Sequence, residues 1–325
     1  MIYLLFFSLV LLLLLRPRTI SKTNFFEAKL ITHSIGMDKQ ELMTYYLRYP
    51  RFIHAEMMTH KDFSRSASSS RAIPIMKMIK QVWFNPAIPI HWGRNQAGMQ
   101  ANQELPSLIK NICINLWTLS GKVMCVFVLV LYSLRLHKQI GNRLLEPWQI
   151  IHVTLTTAKL NNFFALRIHK DAQPEIQYLA QEMKYAYLSS TPNVLTKFDW
   201  HLPWIQESDR TETYNYIQTS GTKEEVDDLL VKMSAARCAR SSYANFDGSR
   251  SIKKDLETFD KLVTTQPVHA SPCEHQAYPD TKCYQVLFHN NDEVSEGFNW
   301  SNPQKHGNLT GWIQHRKLIK DEYIN

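Results

Sequence analysis

The sequence is poor in glycine and lacks the glycine motifs that commonly hold phosphate. Its 325 residues contain only 10 glycines. Neither a G-x-G-x-x-G nor a G-x-x-x-x-G-K pattern occurs. A nucleotide or flavin site in this chain is therefore neither a Rossmann fingerprint nor a P-loop, and other groups must hold any phosphate.

Paired cysteines are also missing. The chain has five cysteines, an odd number, and none of them forms a C-x-x-C pair. This pattern argues against a disulfide scaffold or a zinc knuckle and favours a reducing compartment. We therefore expect a cytoplasmic protein without a structural metal. The cysteines are Cys113, Cys125, Cys238, Cys273 and Cys283.

The charge is moderately basic and lacks a dense basic stripe. Lys and Arg number 37 against 29 Asp and Glu, which gives a net charge of +8 and a pI of about 9.1. A nucleic-acid binder would concentrate these cations on one segment. The charge fits anionic partners such as nucleotides, nucleic acid or a membrane surface and does not choose among them. Because only short basic clusters occur, we expect a solvated basic surface and no nucleic acid partner. A hydrophobic content of 44% is ample for a buried core in one large domain or two small ones.

Long hydrophobic runs are limited to two segments. Residues 1–15 are almost wholly apolar, but a membrane span needs about 20 residues and a signal peptide needs a charged start. Two interpretations stay open, a short signal anchor and, preferred here, a leader that reflects an upstream start codon. Residues 1–25 are therefore predicted to lie outside a single domain at 26–325. The second run, Val123–Leu134, is predicted to be a buried core helix rather than a membrane segment.

The remaining pattern predicts a mixture of helices and strands. Gln40–Tyr49 reads as a strand, followed by a helix that ends at Thr59–Lys61 and by a serine-rich loop at Asp62–Ser70. Predicted helices follow at Ile75–Val82, Leu105–Leu145 with a break at Ser120–Gly121, Leu160–Ile168, Pro174–Tyr187, Glu224–Tyr243 and Ile252–Val263. Gln149–Thr156 reads as a strand, and Ser190–Thr222 and Asp280–Ser301 read as polar connectors.

The segment Thr59–Arg71 carries chemistry that suits an anion. Arg71 can donate two hydrogen bonds to one phosphate, beside hydroxyl donors from the serines at 68–70. Lys61 adds a point charge and His60 a titratable ring. By composition alone, however, a solvent-exposed serine-rich connector is the favoured interpretation.

The spacing within this segment resembles the signature of the flavin-dependent thymidylate synthases. That signature is Arg-His-Arg, seven residues, Ser, one residue, Arg. Here it reads Thr59-His60-Lys61, seven residues, Ser69, one residue, Arg71. Thr59 and Lys61 replace the two arginines, and Ala67 and Ser66 replace the usual Glu and Asn.

Two further blocks are similar to the same family. Asn162 to Arg167, followed by Ala172 to Ile176, resembles N-F-x-x-L-R…A-Q-x-E-I, in which the Arg grips the uracil nucleotide and the Asn lies against the flavin. Asp171 stands where the family often has His. Asn142 to Pro147 resembles A-R-x-x-L-P, so Arg143 is a nucleotide candidate; a surface salt bridge is the competing interpretation.

A fourth block stands in an unusual place. Residues 235–243 and 269–275 resemble A-A-R-x-x-Y…H-x-S-P-x-E-H, which opens the chain in the family but follows the other blocks here. This order indicates a circular permutation, with 222–280 corresponding to the usual N-terminal segment. Ser271 is then a flavin contact. A metal site at His269, Glu274 and His275 is the disfavoured alternative to a helix start with Ser271 as N-cap and Pro272 at the first position.

The resemblance implies an α+β fold in which helices pack on a small, mostly antiparallel sheet in permuted order. It implies methylation of dUMP to dTMP with FAD as cofactor, NADPH and methylenetetrahydrofolate as co-substrates, and a homotetramer whose sites are shared between subunits. It assigns catalysis to Arg167 and Ser69, dUMP binding to Glu56, Ser68, Ser69, Arg71, Arg143 and Arg167, and FAD binding to Thr59, His60, Lys61, Asn162, Asp171 and Ser271.

Two alternatives remain at this point. One is a catalytically impaired relative that binds flavin or nucleotide as a scaffold or sensor, since Thr59, Lys61 and Ala67 remove family ligands. The other, less favoured, is a basic protein anchored to a membrane by residues 1–15.

Overall fold

The computed structural model describes residues 21, 25–217, 221–241, 251–289 and 292–322. Its centre is a five-stranded sheet with the strand order β3-β4-β2-β1-β5. The strands are β1 Glu27–Gly36, β2 Glu41–Pro50, β3 Ser64–Ala67, β4 Ile150–Thr157 and β5 Asn193–Leu195. Every pairing is antiparallel except β1 with β5. The predicted α+β class with a small, mostly antiparallel sheet is confirmed.

Helices cover the sheet and extend beyond it. The helices are α1 His54–Met58, α2 Ile75–Phe84, α3 Ser107–Ser133, α4 Lys138–Gly141, α5 Asn161–Arg167, α6 Pro174–Leu188, α7 Glu207–Tyr216, α8 Lys223–Arg240 and α9 Ile252–Thr264. The largest core lies between β2, β4 and α6. Tyr45 and Leu47 of β2 meet Leu179 and Met183 of α6 there, because one side of each element is apolar.

The serine-rich segment is partly a strand, so the prediction of a loop over Asp62–Ser70 was wrong for residues 64–67. Serine is a weak strand former by composition. Here it is held by pairing, because Ser64 lies opposite Thr156 and Ser66 opposite Thr154 on β4. Backbone bonds to β4 therefore override the local sequence signal.

A buried chain of hydroxyl and imidazole groups crosses one face of this sheet. Ser34 is 2.8 Å from Nδ1 of His201, whose Nε2 is 2.8 Å from the Thr44 hydroxyl. The Thr44 and Thr156 hydroxyls are 2.7 Å apart. Nδ1 of His275 is 2.9 Å from Thr156, and its Nε2 is 2.9 Å from Ser66. The chain joins β1, β2, β4 and β3 to two segments that are distant in sequence.

Helix α3 differs from its prediction in two ways. It runs unbroken through Gly121, where a Cβ atom would stand 3.0 Å from the Trp148 ring, so this glycine allows close packing rather than a break. The segment Val123–Leu134 is also not a buried core helix, since only one side of α3 is covered. Of the described helices, α3 alone is long and apolar enough to cross a membrane, with a third of its most apolar window buried.

Two predicted connectors contain regular structure. Ser190–Thr222 holds β5 and α7, and α7 begins with a capping box between Gln206 and Asp209. The region Asp280–Ser301 forms a hairpin of β7 Lys282–His289 and β8 Asp292–Trp300. Short strands β6 Ala277–Pro279 and β9 Trp312–Gln314 pair nearby.

The sequence pattern underestimated α7 and β8 because most of their residues are polar, whereas β7 contains Tyr284, Val286, Leu287 and Phe288 and could have been predicted as a strand. Polar strands and helices lack the apolar periodicity from which such elements are predicted. The predicted leader lies outside the described residues, apart from Ser21 and from Phe25, which is buried in the main core.

Candidate active site

Four predicted site residues meet where α1 and α5 end. Thr59 follows the last residue of α1, and Arg167 is the last residue of α5. The Arg167 guanidinium donates from Nε to Nε2 of His60 at 2.9 Å and from Nη2 to the Thr59 hydroxyl at 3.1 Å. Its Nη1 lies 3.4 Å from the Glu56 carboxylate. Residues more than 100 positions apart in the chain therefore share one cluster.

Burial sets the charges in this cluster. The pKa of His60 is lowered, first by burial and then by the Arg167 and Arg65 cations. The pKa of Glu56 is raised because burial outweighs the attraction of Arg167, with Glu175 adding repulsion. A lowered pKa keeps His60 neutral near pH 7, which agrees with its accepting a bond from Arg167.

Sequence reasoning missed a residue that holds this cluster together. Arg65, in β3, donates to the Met57 carbonyl at 2.7 Å and to the His60 carbonyl at 3.0 Å. These bonds satisfy carbonyls at the end of α1 and fix the turn that carries Thr59 and His60. A strand over residues 64–67 places Arg65 on the opposite side from Ser64 and Ser66, but the serine-rich composition contained no apolar alternation that would have predicted this strand.

Buried and more exposed side chains alternate from Ser64 to Arg71, so this segment has an inner face and an outer face. Ser64, Ser66, Ser68 and Ser70 are buried, whereas Arg65, Ala67 and Ser69 are half-buried and Arg71 is exposed. The Ser68 hydroxyl accepts from the His152 amide at 3.0 Å, and the Ser70 hydroxyl donates to Glu146 at 2.9 Å. Ser69 and Arg71 therefore share the outer face, and the structure does not bring Ser68 to it.

Arg143 lies near this second end of β3. Its guanidinium is exposed and 3.8 Å from Glu146, the same carboxylate that accepts from Ser70. Arg51 lies 3.4 Å from Glu146 and donates to the Ser68 carbonyl at 3.2 Å. Glu146 thus organises a basic surface that sequence reasoning did not predict, and Arg143 has the surface salt bridge that was its competing interpretation.

The two ends of β3 are separate within one chain. A four-residue strand spans about 13 Å. His60 precedes β3 and Arg71 follows it, so the strand stands between them. Among the described residues, no hydrogen bond or ion pair joins Arg71 or Arg143 to the Arg167 cluster.

The other predicted flavin residues lie at the surface. Lys61, Asn162 and Asp171 are all exposed. The Asp171 carboxylate lies 3.5 Å from His169, and its carbonyl accepts from Gln100. Asn162 lies in the first turn of α5, five residues before Arg167.

Ser271 begins a short 3₁₀ helix, Ser271–Glu274, that packs beside β3. The residue before it, Ala270, is the N-cap, so the predicted capping role of Ser271 was wrong. His275 forms hydrogen bonds with Ser66 and Thr156, and Glu274 forms an ion pair with Arg316. Within the described ranges, no group of three potential metal ligands occurs.

A cavity of about 540 Å³ lies elsewhere, between α8 and the C-terminal segment. Trp200, Tyr278 and His315 line it, together with charged residues of α8. None of the predicted site residues contributes to this cavity.

Comparisons with known proteins give partial similarity. No protein-family model and no curated protein sequence matches the chain. The UMP/dUMP methylase PolB from Streptomyces cacaoi bound with 5-Br dUMP is 18% identical, over 45% of this chain and 65% of that one, with a TM-score of 0.38. The same methylase with 5-Br UMP is 14% identical, over 50% and 88%, with a TM-score of 0.40.

A third structure is Thymidylate Synthase X (ThyX) from Helicobacter pylori with FAD and dUMP. It is 18% identical over 45% of this chain and 67% of that one, with a TM-score of 0.32. The chain thus spans about two thirds of the first and third of these structures. Because the TM-scores are this low, we draw the function below from the residues of the chain itself.

Proposed function

We propose that this chain is a flavin-dependent thymidylate synthase, which methylates dUMP to dTMP using methylenetetrahydrofolate and NADPH. The observation that carries the proposal is the cluster of Arg167 with Glu56, Thr59 and His60. Two sequence blocks that resemble the family independently supply its members. Their contact in space is what a shared site requires.

In this proposal the cluster holds the nucleotide and the edge of the flavin. Arg167 is fixed by three partners, so its guanidinium keeps one orientation toward an anionic or carbonyl oxygen. His60 accepts at Nε2, so its remaining proton lies on Nδ1, from which it can donate to a bound acceptor. Glu56, one turn earlier on α1, offers an oxygen to a pyrimidine N–H.

The residues present fit a flavin. The His60 ring packs edge-on against Phe163, with 4.9 Å between the ring centroids. This packing fixes the His60 ring and places an aromatic surface next to polar groups. His60, Lys61, Asn162 and Ser271 would hold the group, and the exposed Lys61 would compensate negative charge. A bound reduced flavin would supply the hydride that completes the methyl group.

The second end of β3 supplies the phosphate contacts in this proposal. Ser69, Arg71 and the nearby Arg143 present a hydroxyl and two guanidinium groups at the surface. Because this end stands apart from Arg167, we infer that one site takes Arg71 from one subunit and Arg167 from another, in a homotetramer. The enzyme is thus incomplete as a single chain.

We also infer that the block order reflects circular permutation. The C-terminal block that carries Ser271 reaches β3 through the bond of His275 to Ser66. That contact puts the block beside the signature segment despite its position late in the chain.

The second candidate is a binding protein of the same family without turnover. Thr59 contributes a hydroxyl to Arg167 where the family has a cation, and Lys61 cannot fork two bonds to one phosphate. A protein of this kind would bind flavin or nucleotide but form no thymidylate.

Growth of a thymidine-requiring bacterium separates the candidates. Expression of the chain should restore growth without thymidine, and the Arg167→Ala variant should not. The purified protein should be yellow and should oxidise NADPH in a dUMP-dependent way. A yellow protein that forms no dTMP would support the binding relative, and rescue that survives Arg167→Ala would reject the proposed site.

A further inference from the structure

Helix α3 carries two apolar seams on opposite sides. The packed seam consists of Ile114, Thr118, Gly121, Cys125 and Val128. It faces α2 and the segment 142–148; the Cys125 thiol, for example, lies 3.8 Å from the Ile79 carbonyl. Residues two positions away from the packed seam lie about 200° around the helix, on its opposite side. If that side faced only solvent, we would expect it to be polar.

That opposite side is apolar at every position of a heptad repeat. Spacings of three and four residues run without a break over three heptads, and we call this set the outer seam. Its members are Ile109, Ile112, Leu116, Leu119, Val123, Val126 and Val130. Six of the seven are exposed, with Val130 the most at 53%. A heptad repeat of this kind is typical of a helix that packs against another helix, and the exposed Phe127 and Leu129 widen its apolar surface toward the C-terminal end.

Charge around the outer seam does not oppose self-association. Helix α3 contains no acidic residue, and its two charged residues are Lys110 and Lys122. The Lys110 ammonium is bound by Glu104 at 2.7 Å, and the Lys122 ammonium lies 5.5 Å from the centre of the Trp83 ring. Two copies of the seam can therefore meet without unpaired like charges between them.

A bilayer fits the outer seam less well. The elements packed on the other side of α3 carry charge, including the exposed Lys77 and Lys80 of α2 and the pair Arg143–Glu146. Placing α3 across a membrane would bring these groups into hydrocarbon, where each is costly.

The apolar run at residues 1–15 also fits less well as a cover. As a helix it would be about 22 Å long, whereas the outer seam from Ile109 to Val130 is about 32 Å long. A second copy of α3 matches the seam in length and in repeat.

We propose that the outer seam of α3 joins two copies of this chain by helix-to-helix packing around a two-fold axis. Side chains of each seam then pack as knobs into holes between side chains of the other, as a symmetric interface requires. This inference concerns assembly alone and does not depend on the proposed enzymatic function.

Light scattering on the full-length chain tests the interface. The wild type should have an even multiple of the 38.0 kDa chain mass. The double variant Leu119→Lys/Val126→Lys should self-associate at least about 100-fold more weakly, because two buried apolar contacts per copy are lost. The matched control is Leu188→Lys/Val194→Lys, at exposed positions away from α3, and it should keep the wild-type mass.

Folding is checked by circular dichroism, because both seam positions are exposed and should tolerate lysine. Leu119→Cys gives a second readout, since residue 119 is near the middle of the seam and meets its own copy in either helix orientation. Oxidation should then trap a dimer well above the wild-type background.

Other occupants give different results. A monomeric wild type, an unchanged mass in the folded lysine variant, or no trapped dimer would each overturn the proposal. So would a monomer whose binding to anionic lipid vesicles is lost in the lysine variant, or a monomer that dimerises only when residues 1–20 are deleted.

Discussion

The arginines at the two ends of β3 differ in how firmly the rest of the chain holds them. At the start of the strand, Arg167 is held by three partners, of which Glu56 and His60 are half-buried and Thr59 is exposed. At its end, Arg71 is exposed and Arg143 has one long contact, to Glu146. The first end is a preorganised site within one chain. The second end is an exposed basic surface over which no other described part of the chain packs. A surface of this kind becomes a site when something else packs over it.

The largest effect is expected at the preorganised end. Arg167→Ala should reduce dUMP-dependent turnover by at least about 1,000-fold, because it removes charge-assisted hydrogen bonds worth about 1.5–3 kcal/mol each. Steady-state NADPH oxidation measures this loss. Lys170→Ala, an exposed cation three residues later, is the control and should keep nearly full turnover. Equal losses in the two variants would show that overall charge, rather than this cluster, matters.

Mixed oligomers test whether the Arg71 and Arg167 of one site come from different subunits. Arg71→Ala and Arg167→Ala should each be nearly inactive alone. If each site takes these residues from different subunits, co-expression should restore about a quarter of the wild-type activity, since random mixing leaves that share of sites intact. Two differently tagged chains, purified together, provide the sample. Activity that stays at the level of the single variants would place both arginines in the same subunit's site, against the geometry described above.

The two buried histidines that pack on the sheet, His201 and His275, should make the fold less stable in acid. Burial lowers the pKa of His201 and of His275 to about 3, from 6.5 in the unfolded chain. The unfolded state therefore binds more protons between these values, so stability is complete above pH 6.5 and falls as the pH drops toward 3.

Each ring should contribute a slope of up to about 1.4 kcal/mol per pH unit in this window. Urea unfolding at pH 7 and pH 4.5 measures this slope. His275→Asn should reduce it, whereas the exposed His169→Asn should leave it unchanged. A slope that is the same in wild type and His275→Asn would mean that folding does not lower the pKa of His275.

The smallest effects separate neighbouring serines on opposite faces of β3. Ser68→Ala should lower the free energy of unfolding by about 1–2 kcal/mol, because the His152 amide loses a buried acceptor. Ser69→Ala should change stability by less than about 0.5 kcal/mol but weaken dUMP binding about 10-fold. Thermal unfolding and nucleotide titration distinguish them. The reverse pattern would assign Ser68, not Ser69, to the nucleotide.

The sequence allowed much of this comparison to be predicted at the preorganised end. His60 and Arg167 were both found by spacing, and their contact follows from helices that end beside each other. The faces of β3 were not predicted, because a run of serines gives no apolar alternation from which to tell inside from outside. Only pairing with β4 reveals that Ser68 and Ser70 point inward.

Other predictions failed for different physical reasons. Gly121 was read as a helix break because glycine disfavours helices, but the approach of Trp148 needs the missing side chain. The hairpin after Asp280 was missed although Tyr284, Val286 and Phe288 of β7 favour a strand; of its two strands only β8 is mainly polar. The apolar outer seam of α3 is visible in the sequence, but only the structure shows that the opposite seam is the packed one.

The buried chain from Ser34 to Ser66 has a consequence for the protons on its two rings. A neutral imidazole has one N–H and one lone pair, so it passes the direction of donation from one neighbour to the next. If no buried hydroxyl proton lacks an acceptor, all five bonds must point the same way. His201 and His275 are then both Nδ1–H or both Nε2–H. Two histidines 74 positions apart thus share one tautomer, and a flip of either ring's proton must be matched by the other.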